Sequence, residues 1–158
     1  MEIRFAQEKD IDRLNALLYQ VAAVHHEGRP DLFRSNSKKY RDVELLELLQ
    51  RPDKPILVAV NEEDRVIGYA FCVLQEHKDE GALADVTTLY LDDLCVDETC
   101  RGQHIGKALY SAVLDLAKER NCYNVTLNVW SCNESALRFY EACGLKPQKI
   151  TMEQILTP

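Results

Sequence analysis

Residues 87–117 constrain the fold more tightly than any other stretch of the chain. Thr87–Val96 is rich in β-branched and large apolar residues and reads as a strand. Ile105, Ala108, Leu109, Ala112, Val113, Leu116 and Ala117 then recur at helical spacing and form one apolar stripe. Between them lies the polar loop Asp97–Gln103, which contains Gly102. A strand that passes through a short glycine-containing loop into an amphipathic helix needs a sheet on which that helix can lie.

The flanking sequence supplies that sheet. Glu2–Ala6 alternates Ile3 and Phe5 with polar residues, a short strand. Asp10 is placed to cap the next helix, in which Ile11, Leu14, Leu18 and Val21 repeat until Gly28 and Pro30 break it. Asp42–Leu49 reads as a second short helix. Ile56–Val60 and Val66–Leu74 flank the polar turn Asn61–Asp64 and predict a hairpin. Asn124–Trp130 reads as a strand and Asn133–Ala142 as a helix stopped by Gly144, with a final strand expected in Lys146–Leu156. The order β, α, α, β, β, β, α, β, α, β predicts a mixed sheet with helices on its faces. With 158 residues and no linker or repeat, residues 1–158 read as a single domain.

Composition narrows the function classes. The formal net charge of −7 argues against nucleic-acid binding and mildly favours cationic small substrates. No apolar run is long enough for a bilayer, so no membrane association is expected. Met1-Glu2-Ile3-Arg4 lacks the basic-then-apolar form of a secretory signal. Six cysteines, none in a CxxC pair, read as reduced thiols of a cytoplasmic protein and not as a disulfide or zinc framework, so no metal is expected.

The loop after Val96 carries the chemistry. Arg101, Gly102, Gln103, His104, Ile105, Gly106, Lys107 and Ala108 lead from strand to helix. The first turn of a helix has unpaired backbone N–H groups and partial positive charge, and glycine lets a phosphate approach them. Arg101 and Lys107 add formal charge in an otherwise acidic chain. From the residues alone two readings stand: an anion site, or glycines that only turn the chain beside solvated cations. A phosphate-loop hydrolase is disfavoured, because Gly102 and Gly106 are one residue too close and Ala108 stands where a magnesium-binding hydroxyl is needed.

Arg101-Gly102-Gln103-His104-Ile105-Gly106 resembles the acetyl-CoA motif Arg/Gln-x-x-Gly-x-Gly/Ala of the GNAT superfamily of N-acetyltransferases. His104 stands where that motif has its first glycine, so a side chain there narrows the approach to the pyrophosphate or donates to it. Leu91–Asp97 resembles the family's fourth strand. Asn133-Glu134-Ser135-Ala136-Leu137-Arg138-Phe139-Tyr140-Glu141-Ala142-Cys143-Gly144-Leu145 resembles its Asn-x-x-Ala-x-x-x-Tyr-x-x-x-Gly-Phe/Leu motif. The resemblance implies an acyl-CoA N-acyltransferase fold: α/β, with a mixed, mostly antiparallel central sheet of six to seven strands and about four flanking helices. It implies acetyl-CoA as cosubstrate and direct transfer of acetyl to an amine, and it allows a homodimer.

Residue roles follow from the same resemblance. Leu94, Cys95 and Val96 would hold the pantetheine arm and polarise the thioester. Arg101–Ala108 would bind the pyrophosphate. Asn133 would bond the cofactor arm, and Tyr140 would protonate the departing thiolate; without the motif, Tyr140 reads instead as part of one buried helix face with Ala136, Leu137 and Cys143. Tyr90-Leu91-Asp92-Asp93 is similar to Tyr-Leu-Glu-Asp of polyamine acetyltransferases, which points to Asp92 as a base or water-holding group. Adjacent residues of a regular strand face opposite ways, so Asp92 and Asp93 are expected on opposite faces. The alternative for either is a plain ion pair. His26 and Glu27 are candidates for the acceptor pocket, against histidines that merely suit a helix C-terminus. Cys95 as an acetylated nucleophile is set against Cys95 as packing. Three functions remain: a small-amine, polyamine or amino-sugar acetyltransferase, which is favoured; a protein N-α or lysine acetyltransferase; and a non-catalytic acyl-CoA-binding module.

Overall fold

The computed structural model describes residues 1–157 and divides into two compact units, residues 1–128 and the segment from Val129 onward. The first unit contains β1 (Glu2–Phe5), α1 (Ile11–Gly28), α2 (Asp42–Leu49), β2 (Ile56–Val60), β3 (Val66–His77), β4 (Val86–Val96), α3 (Ile105–Glu119) and β5 (Asn124–Thr126). The sheet runs β1-β2-β3-β4-β5, antiparallel throughout except for the parallel pair β4 and β5. It is the mixed, mostly antiparallel sheet expected, with five strands among the described residues in place of six to seven.

Every residue of β2 is buried, as a strand covered on both faces must be. On one face Val58, Val60, Tyr69, Phe71 and Cys95 pack against Leu14, Leu17 and Leu18 of α1 and Leu45 of α2. The stripe of α3 buries Ile105, Leu109, Val113, Leu116 and Ala117, together with Tyr110. Full burial of one such apolar side chain contributes about 1.5–3 kcal/mol.

Asp10 does not cap α1. It is buried, accepting two bonds from Arg4 at 2.8 and 3.0 Å and one from the Gln7 amide at 2.8 Å. A guanidinium was within reach, and it took the carboxylate that local spacing had assigned to the helix end.

The second unit holds α4 (Glu134–Ala142). Asn133 caps it, its side-chain oxygen accepting the Ala136 amide at 3.2 Å. Gly144 closes it with φ +97°: its amide donates to Glu141 O at 3.0 Å and that of Leu145 to Tyr140 O at 3.1 Å, the paired closure that a left-handed residue allows. The strand expected in Lys146–Leu156 does not form; residues 146–157 have neither helix nor strand. Alternating apolar residues there satisfy the strand pattern, but a strand also needs a neighbour to bond. Among the described residues no helix is long and apolar enough to cross a membrane.

Candidate active site along β4

β4 bonds β3 on one side and β5 on the other, but only in part. The parallel ladder with β5 ends at Tyr90 and Thr126, so Asn124–Trp130 supplies a strand of three residues where seven were expected. Beyond Tyr90 the β5 side of β4 has no ladder partner among the described residues. The Asp97 amide donates to Ile67 O at 2.8 Å, and Tyr69 and Phe71 are registered with Cys95 and Asp93. Backbone direction alternates along a strand. Asp93, Cys95 and Asp97 therefore bond β3, while Leu94 and Val96 turn their N–H and C=O groups to the open edge. Cys95, grouped with them in the sequence, faces inward.

A bulge interrupts the β3–β4 register: Phe71 pairs with Asp93 and Cys72 with Leu91, leaving Asp92 as the extra residue. The inserted residue changes the parity of the strand. Asp92 and Asp93 consequently face the same side, that of α1 and α2, and not opposite faces. The Tyr40 hydroxyl donates to Asp92 Oδ2, and the Tyr69 hydroxyl to Asp93 Oδ2 at 2.9 Å. Lys39 Nζ lies 2.9 Å from Asp92 Oδ1. Tyr40 stacks on Phe71 at 5.2 Å, and Tyr69 meets the same ring edge-on at 4.8 Å. A cavity of about 200 Å³ opens beside them, with Tyr40, Phe71, Cys72, Lys54 and Asp92 among its walls.

Burial pushes the Asp93 carboxyl up from 3.8 to about 6, against the Tyr69 bond and the Lys39 charge; the Asp92 charge adds to the rise. Burial, then the bond to Asp92, raises the Tyr40 hydroxyl, so it remains a donor. Asp93 thus holds its proton more tightly folded than unfolded. Its ionisation weakens the fold as pH climbs from about 4 through 6, and the full penalty is present above that window. Asp93→Asn keeps an acceptor for Tyr69. It is expected to add about 2 kcal/mol at pH 8 and nothing near pH 3.5, read from urea midpoints at the two pH values. A gain that is equal at both pH values would contradict this assignment.

The loop into α3 is fastened at its start. Asp97 is buried, its Oδ1 accepting the Thr99 amide at 3.1 Å and hydroxyl at 3.0 Å, and its Oδ2 the Arg13 guanidinium at 2.5 Å. Burial opposes its ionisation, but the Thr99 amide and then Arg13 outweigh it and bring the carboxyl down to about 2. Gly102 has φ +82° and His104 φ +61°. The left-handed turn at His104 explains why the resembled motif carries glycine there: an L side chain in this region costs about 1–2 kcal/mol. The first helical bond of α3 runs from Ala108 N to His104 O at 3.1 Å, and the His104 side chain does not cap the helix. The amides of Ile105, Gly106 and Lys107 precede that bond and have no helical carbonyl to meet. This uncapped turn, with exposed Arg101 and Lys107, fits a diphosphate.

The remaining candidates separate. His26 Nδ1 meets Phe33 O at 2.6 Å, and the His25 ring lies 5.0 Å from Phe33, so this pair fastens the segment after α1; Glu27 is exposed on its last turn. Cys95 Sγ contacts Leu17 O at 3.7 Å, and burial pushes its thiol up to about 12, which suits packing and leaves almost no thiolate at neutral pH. Asn133 and Tyr140 lie in the second unit, Asn133 at the start of α4 and Tyr140 in its last turn. Lys39, Tyr40 and Tyr69 belong to the Asp92–Asp93 cluster but to no motif; only the folded chain brings them there. Among the described residues no group of three metal-ligating side chains converges.

A model of the Acetyltransferase (GNAT) family matches residues 21–145. Peptidyl-lysine N-acetyltransferase YjaB of Salmonella typhimurium is 30% identical over 148 residues, 92% of this chain and 83% of that protein. Its Escherichia coli counterpart is 32% identical over 112 residues, and the match spans 63% of that relative's own length. A glucosamine 6-phosphate N-acetyltransferase of Trypanosoma brucei brucei is 30% identical over 88 residues, 56% of each chain. Among solved structures, a mutant of the BH1408 protein of Bacillus halodurans superposes with a TM-score of 0.95 at 32% identity, covering 99% of this chain and 100% of that one.

Proposed function

Because this chain belongs to the acetyltransferase (GNAT) family of acetyl-CoA-dependent N-acetyltransferases, we propose that residues 1–158 act as one catalytic domain that passes acetyl from acetyl-CoA directly to a primary amine. One observation carries the reading: a single strand, β4, offers open backbone at Leu94 and Val96, carboxylates at Asp92 and Asp93, and an exit into the uncapped start of α3.

Acetyl-CoA supplies an activated acyl group on a thiol leaving group. The amides of Ile105, Gly106 and Lys107, with the Arg101 and Lys107 side chains, bind its diphosphate; Gly102, Gln103 and His104 shape the turn, and Ala108 starts the helical ladder. Leu94 and Val96 bond the pantetheine arm. A strand amide aimed at the thioester oxygen stabilises the charge that develops on attack, an effect worth about 3 kcal/mol in comparable sites. Asp92 holds the incoming ammonium beside the Tyr40 ring. Asp93, whose carboxyl burial raises to about 6, receives a proton from the amine. Tyr140, at the tyrosine of the second motif, returns a proton to the thiolate, and Asn133 at the start of the same helix bonds the arm.

The acceptor we favour is a small amine, polyamine or amino sugar, which suits the modest cavity and the two carboxylates. A lysine side chain is the second reading, supported by the YjaB relatives. Thiol release from acetyl-CoA, followed over a panel of polyamines, amino sugars and lysine peptides, separates them. Sustained release is expected with one class. A protein that is stabilised by acetyl-CoA but turns over no amine is a binding module, and the catalytic reading falls.

A further inference from the structure

The segment between α1 and α2 presents one lysine to the carboxylates of β4. Lys39 Nζ sits 2.9 Å from Asp92 Oδ1, 3.4 Å from the Asp92 carbonyl oxygen and 5.6 Å from the centre of the Tyr40 ring. Tyr40 donates its hydroxyl to the other oxygen of the same carboxylate and stacks on buried Phe71. A carboxylate with an aromatic face beside it is how a protein recognises an alkylammonium. Lys39 is therefore bound as an acceptor amine would be, two residues from the Leu94 backbone that turns to the open edge. Its neighbour is held elsewhere: Lys38 Nζ bonds Asn15 and Asp42 at 2.5 Å each. The Lys39 side chain is 47% exposed and lies outside helix and strand, so it can advance as well as withdraw.

We propose that Lys39 is acetylated by the chain's own active site when no other amine is present. The inference rests on the acetyl-transfer function proposed above. The Lys39 ammonium gives a proton to the β4 carboxylates, the free amine attacks the thioester carbonyl, and the nitrogen gives up a second proton to solvent as the adduct collapses to the amide. A C–N bond forms and the C–S bond breaks. The thiolate takes a proton from Tyr140, which regains it from solvent. The products are Nε-acetyl-Lys39 and CoA thiol, with one net proton released. The modified side chain is neutral and loses its ion pair with Asp92, so the ammonium position opens to an external acceptor of the same class, a primary amine on a flexible alkyl stem.

The test uses the full chain and acetyl-CoA without added amine, followed by peptide mass spectrometry and thiol release. One acetyl group is expected, on Lys39, at a rate independent of protein concentration, with a single equivalent of thiol released per chain. Lys39→Arg abolishes that equivalent, Lys38→Arg keeps it, and Tyr140→Phe slows it, whereas non-enzymatic acetylation ignores the tyrosine. A chain that acetylates an added amine while Lys39 stays unmodified, or that is acetylated evenly over its exposed lysines, overturns the proposal and leaves acetyl transfer standing. A chain that neither releases thiol with any amine nor is stabilised by acetyl-CoA removes both.

Discussion

Replacing Asp97 with alanine is expected to lower unfolding stability by about 3 kcal/mol and to weaken acetyl-CoA binding by roughly tenfold or more. Asp97 is buried and binds three groups at once: the Thr99 amide, the Thr99 hydroxyl and the Arg13 guanidinium. Its loss strands a half-buried Arg13 and unties the first turn of the loop that leads to Gly102 and His104. The pH dependence carries the opposite sign to that of Asp93. The Asp97 carboxyl titrates near 2 in the fold and at 3.8 in the open chain, so its contribution is complete above 3.8 and fades as pH falls toward 2. The variant should therefore lose less, relative to the parent, at pH 2 than at pH 7. Urea unfolding at both pH values checks this. A neutral substitution at Asp97 that leaves the midpoint in place at pH 7 contradicts the ion-pair account.

Tyr140→Phe is expected to cut turnover roughly a hundredfold or more while leaving the acetyl-CoA dissociation constant within about twofold. In the proposed mechanism the phenol acts only when the thiolate departs, and cofactor binding to α3 and β4 would proceed without it. The alternative for Tyr140 is packing within its own helix, where the ring lies 5.1 Å from that of Phe139. In that case the phenylalanine variant keeps its turnover, since only the hydroxyl is lost. Steady-state kinetics with a good amine, set beside calorimetric titration of acetyl-CoA, distinguish the two outcomes.

Several features of this molecule could be read from local pattern. The stripe of α3 was visible in its spacing, the β2–β3 hairpin in its polar turn, and the closure of α4 in Gly144. Each is decided by neighbours a few residues apart. What escaped the sequence depends on partners outside the element that carries the residue. Asp10 was expected to cap a helix, but Arg4 of β1, six residues earlier, takes its carboxylate. The single-residue bulge at Asp92 is set by how β4 registers on β3, and no spacing rule along β4 alone places it. It brings Asp93, the carboxyl that titrates near 6, to the same face as Asp92. Lys39 and Tyr40 reach that face from a segment with no motif and no periodicity. His104 shows the converse: it looked like a departure from a glycine motif, and its left-handed backbone shows that the turn is retained while the side chain tolerates it.

The account stands on acetyl-CoA lying along β4 with its diphosphate on the first turn of α3. A crystal structure of the chain with CoA tests this most directly. Phosphate oxygens within hydrogen-bonding distance of the Ile105, Gly106 and Lys107 amides, with the pantetheine bonded to Leu94 and Val96, are the predicted result. CoA bound at another surface, with those amides facing only water, would contradict it.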